Sequence, residues 1–195
     1  MTWLVARLGN PGEKFSTTRH NIGAMVVDAL AARSGARWRK VRFAPLQAAE
    51  LSLDGEPVVL AKSNQFMNES GPSYAGYGRK RGVDGDHLVA VHDEIDLPFG
   101  ALKLKRGGST AGHNGLNSLV QAMRGPDFHR VRIGVGRPPR GGQDPADYVL
   151  NPFAKAEREE VAILIQEAAD AVLTLIREGL ETAMDRHNRT GLPSV

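Results

Sequence analysis

The stretch from Trp3 to Leu30 narrows the folds open to this chain more than any other. An apolar run, Trp3 to Leu8, has the length and composition of a buried strand. It stops at Gly9-Asn10-Pro11-Gly12, which turns the backbone. Apolar residues then recur at helical spacing, with Ile22, Met25, Val26, Ala29 and Leu30 on one face. A strand, a loop and a helix in that order begin an α/β unit, and such proteins place ligands in loops at the carboxyl ends of strands. The loop here holds Asn10, Thr17, Thr18, Arg19, His20 and Asn21. His20, at the helix start, is the candidate base. Partial positive charge at a helix N-terminus disfavours a protonated ring, which predicts an imidazole neutral near pH 7.

The rest of the chain repeats the alternation. Strand-like runs cover 46–53 and 57–62, joined by the hairpin signal Asp54-Gly55-Glu56. A polar loop with Asn68 follows, then a helix over 72–81. A short apolar strand at 87–91 runs into His92-Asp93-Glu94-Ile95-Asp96, and 101–106 alternates apolar and basic residues. The glycine-rich 107–115 leads to a helix bearing Leu116, Leu119, Val120 and Met123. In the strand over 130–136, Val131, Ile133 and Val135 face inward and Arg130 and Arg132 outward. Tyr148 to Leu150 reads as a brief edge element, and one long amphipathic helix runs from Lys155 to about Met184. These elements predict an α/β fold of one domain, 1–195, with a twisted, mixed and largely parallel sheet covered by helices on both faces. Residues 186–195 have little to fold with and are expected to form a flexible tail.

Composition excludes several kinds of chemistry. There is no cysteine, hence no disulfide framework, thiol nucleophile or thiolate metal site. No apolar run reaches membrane-spanning length, and the opening residues lack a secretory pattern, so a cytoplasmic protein is expected. Charge is unevenly spread. From Ala101 to Arg140 eight basic residues face one acid (+8 − 1 = +7), and from Glu157 to Asp185 eight acids face two arginines (+2 − 8 = −6). Arg33 to Pro45 adds five cations and no acid, an exposed basic connector. Such asymmetry suits a polyanion on one side. Scarce aromatics argue against a base-stacking RNA module.

Three phosphate signatures nearly match and fail. The 107–114 loop has Walker A spacing, but His113 and Asn114 stand where Lys and Ser/Thr must hold phosphate and Mg²⁺. Gly134-Val135-Gly136 lacks the third glycine of a dinucleotide fingerprint, and no nucleophile elbow is present. His92, Glu94 and Asp96 alternate as metal ligands can, without a second histidine at ligand spacing. A better use is Asp93 at a strand end, where a carboxylate bonded to one His20 nitrogen would fix the tautomer. Asn10, Asn68 and Asn114 each follow a strand; neutral amides suit peptide groups and sugar hydroxyls.

The blocks Leu-Gly-Asn-Pro-Gly (8–12), Thr-Arg-His-Asn-Ile-Gly (18–23), Phe-Met-Asn-Glu-Ser-Gly (66–71), His-Asp-Glu-Ile-Asp-Leu-Pro (92–98), Gly-His-Asn-Gly-Leu (112–116), Phe-His-Arg-Val-Arg-Ile-Gly-Val-Gly-Arg-Pro (128–138) and Asp-Tyr-Val-Leu (147–150) carry a resemblance. From Trp3 to about Met184 the chain resembles the bacterial-type peptidyl-tRNA hydrolases. The resemblance implies cleavage of the ester between a peptide and the 3′ end of tRNA, recycling tRNA from aborted translation, with no metal or other cofactor and as a monomer. By position it implies His20 as proton acceptor, Asp93 as its support and Asn10 as sensor of the acylated amino group. It places Phe15, Phe66, Met67, Asn68, His113 and Asn114 along the tRNA-end and peptide cleft, and Lys105 and Arg132 on tRNA phosphate. The chain departs from the family pattern at Arg7, Phe15, Ser63, Gln65 and Asp185. The alternative reading is a non-catalytic RNA-binding protein of the same fold; a metal-dependent hydrolase ranks below it.

Overall fold

The computed structural model describes residues 1–191. Its elements are β1 Trp3–Arg7, α1 Ile22–Arg33, β2 Arg39–Lys40, β3 Leu46–Leu53, β4 Glu56–Ser63, α2 Gly71–Lys80, β5 Leu88–Glu94, β6 Ala101–Arg106, α3 Asn114–Met123, β7 His129–Gly134, α4 Pro145–Val149, α5 Arg158–Glu178, α6 Leu180–His187 and β8 Arg189–Thr190. The strands make one eight-stranded sheet in the order β2-β3-β4-β1-β5-β7-β6-β8. The central four, β4, β1, β5 and β7, are parallel, and the outer strands are antiparallel. After β1 the chain builds β2–β4 on one side, then crosses to β5 on the other, so the strand order reverses at β1. That is where open α/β sheets hold ligands.

Alternation assigns each strand two faces. Val5, Leu60, Val89, Val91, Val131 and Ile133 pack with α1, α5 and α6 residues such as Val26, Leu164, Val172 and Ala183. Leu4, Ala6, Leu46, Val59, Ala61 and Ala90 pack with Tyr74, Tyr77, Leu116 and Leu119 of α2 and α3 on the opposite face. Asp54 and Gly55, both at positive φ, make the two-residue turn between β3 and β4. No helix among the described residues is long and apolar enough to cross a membrane.

Four expectations are corrected. Tyr148 lies in helix α4, not an edge strand, because the Asp144 carboxylate caps the Ala146 N–H at 2.8 Å and Pro145 occupies the first turn. The long C-terminal helix breaks at Gly179, whose φ of 88° and extended ψ end α5 and start α6. Arg130 is 0% exposed, not outward, because that face of β7 is also covered. Its guanidinium donates to the carbonyls of Ser109 and Gly108 at 2.7 and 2.9 Å and lies 5.0 Å from the Phe128 ring centre. The loose tail from residue 186 is not found over 186–190. Arg186 and His187 close α6, β8 pairs with β6, and the Arg189 guanidinium binds Glu160, Glu167 and the Gly100 carbonyl. The remainder of that tail, 192–195, lies outside the described residues.

Gly23 sets how closely α1 approaches β5. A Cβ there would stand 2.1 Å from the Val91 carbonyl oxygen and 2.9 Å from the His92 Cα. Backbone cannot step aside as a side chain can. Gly23→Ala is expected to cost about 2 kcal/mol or more, within the range for overpacking, and to lift the His20 turn from β5. Gly76→Ala in α2, where an added Cβ meets nothing within 4 Å, should instead gain about 0.5 kcal/mol. Thermal melts of the two variants check the pair.

Candidate active site

The carboxyl ends of β1, β4 and β5 open into a cleft of about 620 Å³. Each strand delivers one part of the site. After β1, the turn at Gly9–Gly12 presents Asn10, and a 3-10 turn over Arg19–Asn21 presents His20 just ahead of α1. After β4, a 3-10 turn over Met67–Glu69 presents Met67 and Asn68. β5 presents Asp93 one residue before its end, and the glycine-rich loop delivers His113 and Asn114 at the start of α3.

The Asp93 carboxylate joins these parts. His20 Nδ1 lies 2.9 Å from both its oxygens, and His113 Nε2 lies 2.8 Å from Oδ1. The His113 tautomer is fixed by its other nitrogen. Nδ1 accepts the Gly115 and Leu116 N–H groups at 3.1 and 3.2 Å as the cap of α3, so the ring proton sits on Nε2 and is donated to Asp93. Asp93 is only 2% exposed. Burial alone would raise its pKa, but His20 and His113, which both turn a ring nitrogen onto its oxygens, outweigh it and hold the carboxyl well below the usual range. For His20 the balance runs the other way. Burial lowers the imidazole pKa, and the Asp93 charge and hydrogen bond more than restore it, leaving it above 6.5. The lowered pKa expected at a helix N-terminus is not found: the adjacent carboxylate sets the direction, which is upward. With Nδ1 turned to Asp93, Nε2 is the nitrogen open to the cleft, which His20 lines.

Asn10 is held on three bonds. The Asn21 side chain accepts its backbone N–H at 2.8 Å and donates to its carbonyl at 2.9 Å, the way a neighbouring strand would. Its own Oδ1 accepts the Met67 N–H at 2.8 Å. The oxygen is thus committed and the amide NH₂ remains for the cleft. Phe66, 53% exposed, forms the rim, and the Phe15 ring meets it edge-on with centres 6.3 Å apart.

His20, Asp93, Asn10, Phe66, Met67, Asn68, His113 and Asn114 all line this cleft; Phe15, Lys105 and Arg132 do not. Lys105 and Arg132 lie beside it on β6 and β7, next to buried Arg130. Burial, then those two guanidinium groups, lower the Lys105 pKa. His92, Glu94 and Asp96 do not converge. His92 is buried and donates from Nδ1 to the Asp93 carbonyl at 2.7 Å, while Arg132 approaches Glu94 and Arg137 holds Asp96. The only grouping of metal-ligating type among the described residues is His20, Asp93 and His113, with donor atoms within 4.8 Å. That set fits a metal poorly, because the His113 nitrogen facing Asp93 carries the proton its capping role requires.

The sequence did not disclose several parts. Asn21 as the clamp on Asn10, the second histidine on Asp93 and the wall formed by Asp144–Leu150 came only with the fold. Arg19 ties that wall down: buried between the Tyr148 and Phe153 rings, it donates to the Pro152 carbonyl and pairs with Glu157 at 2.7 Å. The departures have local reasons. Arg7 pairs with Asp28 of α1 at 2.9 Å. Ser63 Oγ accepts the Gln65 N–H, and Gln65 Oε1 accepts the Ser73 hydroxyl, bracing the strand end against α2. Nothing in the structure explains Asp185.

A sequence model of the family described as peptidyl-tRNA hydrolase matches residues 4–194. The chain is 49% identical over 183 residues to the peptidyl-tRNA hydrolase of Nocardia farcinica, covering 94% of each chain. It is 49% identical over 189 residues to that of Paenarthrobacter aurescens, covering 96% of each. A crystal structure of peptidyl-tRNA hydrolase from Acinetobacter baumannii superposes with a TM-score of 0.89 at 31% identity, over 97% of this chain and 96% of that one.

Asn21→Ala removes both side-chain bonds to the Asn10 backbone. The expected loss is about 1–3 kcal/mol, since it leaves polar backbone groups without partners, and Asn10 loses its fixed pose. A denaturant melt and a crystal structure of the variant check both.

Proposed function

The chain belongs to the peptidyl-tRNA hydrolase family, and on that footing we propose that it hydrolyses the ester joining a peptide to the 3′ end of tRNA, with His20 as general base. The observation that carries this reading is the His20 imidazole seated on Asp93 by Nδ1, beside a cleft edged with asparagine amides. Neutral His20 takes a proton on Nε2 from a water, whose oxygen attacks the ester carbonyl. Asp93 stabilises the imidazolium that results. The amide donors of Asn68 and Asn114 stabilise the negative oxygen of the tetrahedral intermediate. The carbon–oxygen ester bond then breaks, and the His20 proton passes to the departing ribose 3′ oxygen. The steps use no metal ion and one copy of the chain, in the cytoplasm, where charged tRNA is found.

Asn10 supplies discrimination. Its free NH₂ donates to the acyl carbonyl of an N-blocked substrate, whereas a free ammonium group brings only donors and meets no acceptor there. Phe66 and Met67 line the way for the tRNA end and peptide, Phe15 backs the Phe66 ring, and His113 holds Asp93. Lys105 and Arg132 contact tRNA phosphate, so binding weakens with salt.

Two measurements test the proposal. His20→Ala should lower kcat on N-acetyl-aminoacyl-tRNA by about 10²–10⁴-fold while tRNA binding persists; retained turnover would remove His20 from the chemistry, and binding without turnover in the wild type would favour the non-catalytic reading. The acidic limb of kcat/KM should lie above pH 6.5, because the raised His20 pKa must be exceeded before the ring is neutral. Asp93→Asn should move that limb to lower pH, since burial then acts alone, and should lower kcat. Free aminoacyl-tRNA should be a poor substrate, and Asn10→Ala should narrow the gap between the two substrates.

A further inference from the structure

The basic connector between α1 and β3 takes no part in the site described above, yet the structure gives it a defined form. Arg39–Leu46 is a hairpin on the outer edge of the sheet, closed by the Val41 N–H on the Leu46 carbonyl at 2.9 Å. At its tip Phe43 is 87% exposed and holds φ at 61°, a left-handed conformation that a bulky side chain rarely adopts. The Arg42 guanidinium lies 4.7 Å from the Phe43 ring centre. Arg37, Arg39, Lys40 and Arg42 are exposed, and among the described residues none of them pairs with an acid.

The hairpin is tied to the segment that leads to the cleft rim. The Asn64 N–H donates to the Pro45 carbonyl at 2.9 Å, and Gln47 donates to the Asn64 side chain at 3.2 Å. Asn64 is two residues from Phe66 on the cleft rim. Lys105 and Arg132 stand on β6 and β7, on the opposite flank. Five strand spacings separate β2 from β7, roughly 24 Å at about 4.8 Å each. One elongated polyanion lying over the cleft reaches both positive flanks.

We propose that the hairpin tip is a second contact for the tRNA substrate, with Phe43 stacking on an unpaired base and Arg39, Lys40 and Arg42 meeting phosphates on the flank away from Lys105. The inference rests on the peptidyl-tRNA reading of the cleft. An exposed ring among unpaired cations is the pattern of single-strand RNA recognition, because every base offers a π face and every nucleotide a charge. Phe43 stands at a φ where glycine would be relaxed, so the backbone of the turn does not call for the ring.

The experiment compares two substrates with the same ester: N-acetyl-aminoacyl-tRNA, and an N-acetyl-aminoacyl ester of adenosine that lacks the tRNA body. Phe43→Gly and Arg39→Glu/Arg42→Glu should raise KM for the tRNA substrate by about fivefold or more, the low end for loss of one stacked base, with kcat unchanged. Neither should alter KM for the adenosine ester. Phe43→Trp should restore the wild-type KM. The charge reversal should also flatten the salt dependence of kcat/KM by roughly one unit of log–log slope or more. Phe43→Gly should melt no lower than wild type, so lost affinity is not lost fold. An unchanged KM for tRNA in both variants overturns the proposal, whatever else the tip binds. An equal rise for both substrates also overturns it, placing the effect in the cleft wall at Asn64–Phe66. If the wild type hydrolyses neither substrate, the catalytic reading has failed instead, and titration with deacylated tRNA decides the tip: weaker binding by the variants supports it, and equal binding overturns it.

Discussion

One buried carboxylate accepting from two imidazoles holds the site together. Asp93 is almost wholly out of water, where an unpaired charge would be costly. His20 arrives from the loop after β1 and His113 from the cap of α3, and both turn a nitrogen toward it. Three separate stretches of chain are thereby fixed on one atom group. The arrangement is asymmetric in use. His113 spends its second nitrogen on the helix cap and has none left for chemistry. His20 keeps its second nitrogen for the cleft, and so is the one of the two suited to the proposed proton transfer.

The same logic of prior commitment governs the amides. Asn10 has its backbone clamped by Asn21 and its side-chain oxygen taken by the Met67 N–H, which leaves one chemical character, donor, for the cleft. A group with a single remaining hydrogen-bonding role discriminates better than one free to rotate and offer either end. The second layer is as ordered as the first. Buried Arg130 gathers the carbonyls of Gly108 and Ser109 at the start of the loop that carries His113 and Asn114, and Arg19 fastens the α4 wall to the His20 turn. Guanidinium groups serve here because a planar donor fork satisfies several carbonyls from one buried point.

The sequence was legible where local physics decides. The β1–loop–α1 stretch, the Asp54–Gly55 turn and β6 follow from periodicity and turn chemistry, and they appear with little change of boundary. Asp93 was readable as the acid at the end of a buried strand. What stayed hidden depends on partners distant in the chain. The His20–Asp93 pair, 73 residues apart, was legible from the chemistry of the two groups, but nothing in the spacing brings His113 to the same carboxylate. Arg130 looked solvent-facing because alternation gives the side of the sheet and says nothing of what covers it. His113 as a cap was invisible because imidazole is an uncommon capping group. The break at Gly179 was missed because apolar spacing continues through it and only the backbone angle shows the stop. The tail after 186 looked unstructured because its anchor, Arg189, binds acids on α5 that the sequence showed only as a negative helix.

The short strand β8 carries a consequence for how the protein comes into being. It lies against β6, the outer antiparallel strand of the sheet, and it is the last strand of the described chain to be synthesised. Until it docks, the outward backbone groups at Ala101 and Leu102 stay unpaired, a short open edge of the kind that recruits strands from other molecules. Two residues clasped by one arginine thus close that end of the edge only when the last of the described chain has been made, and the Asn188 side chain accepts the Leu104 N–H next along it.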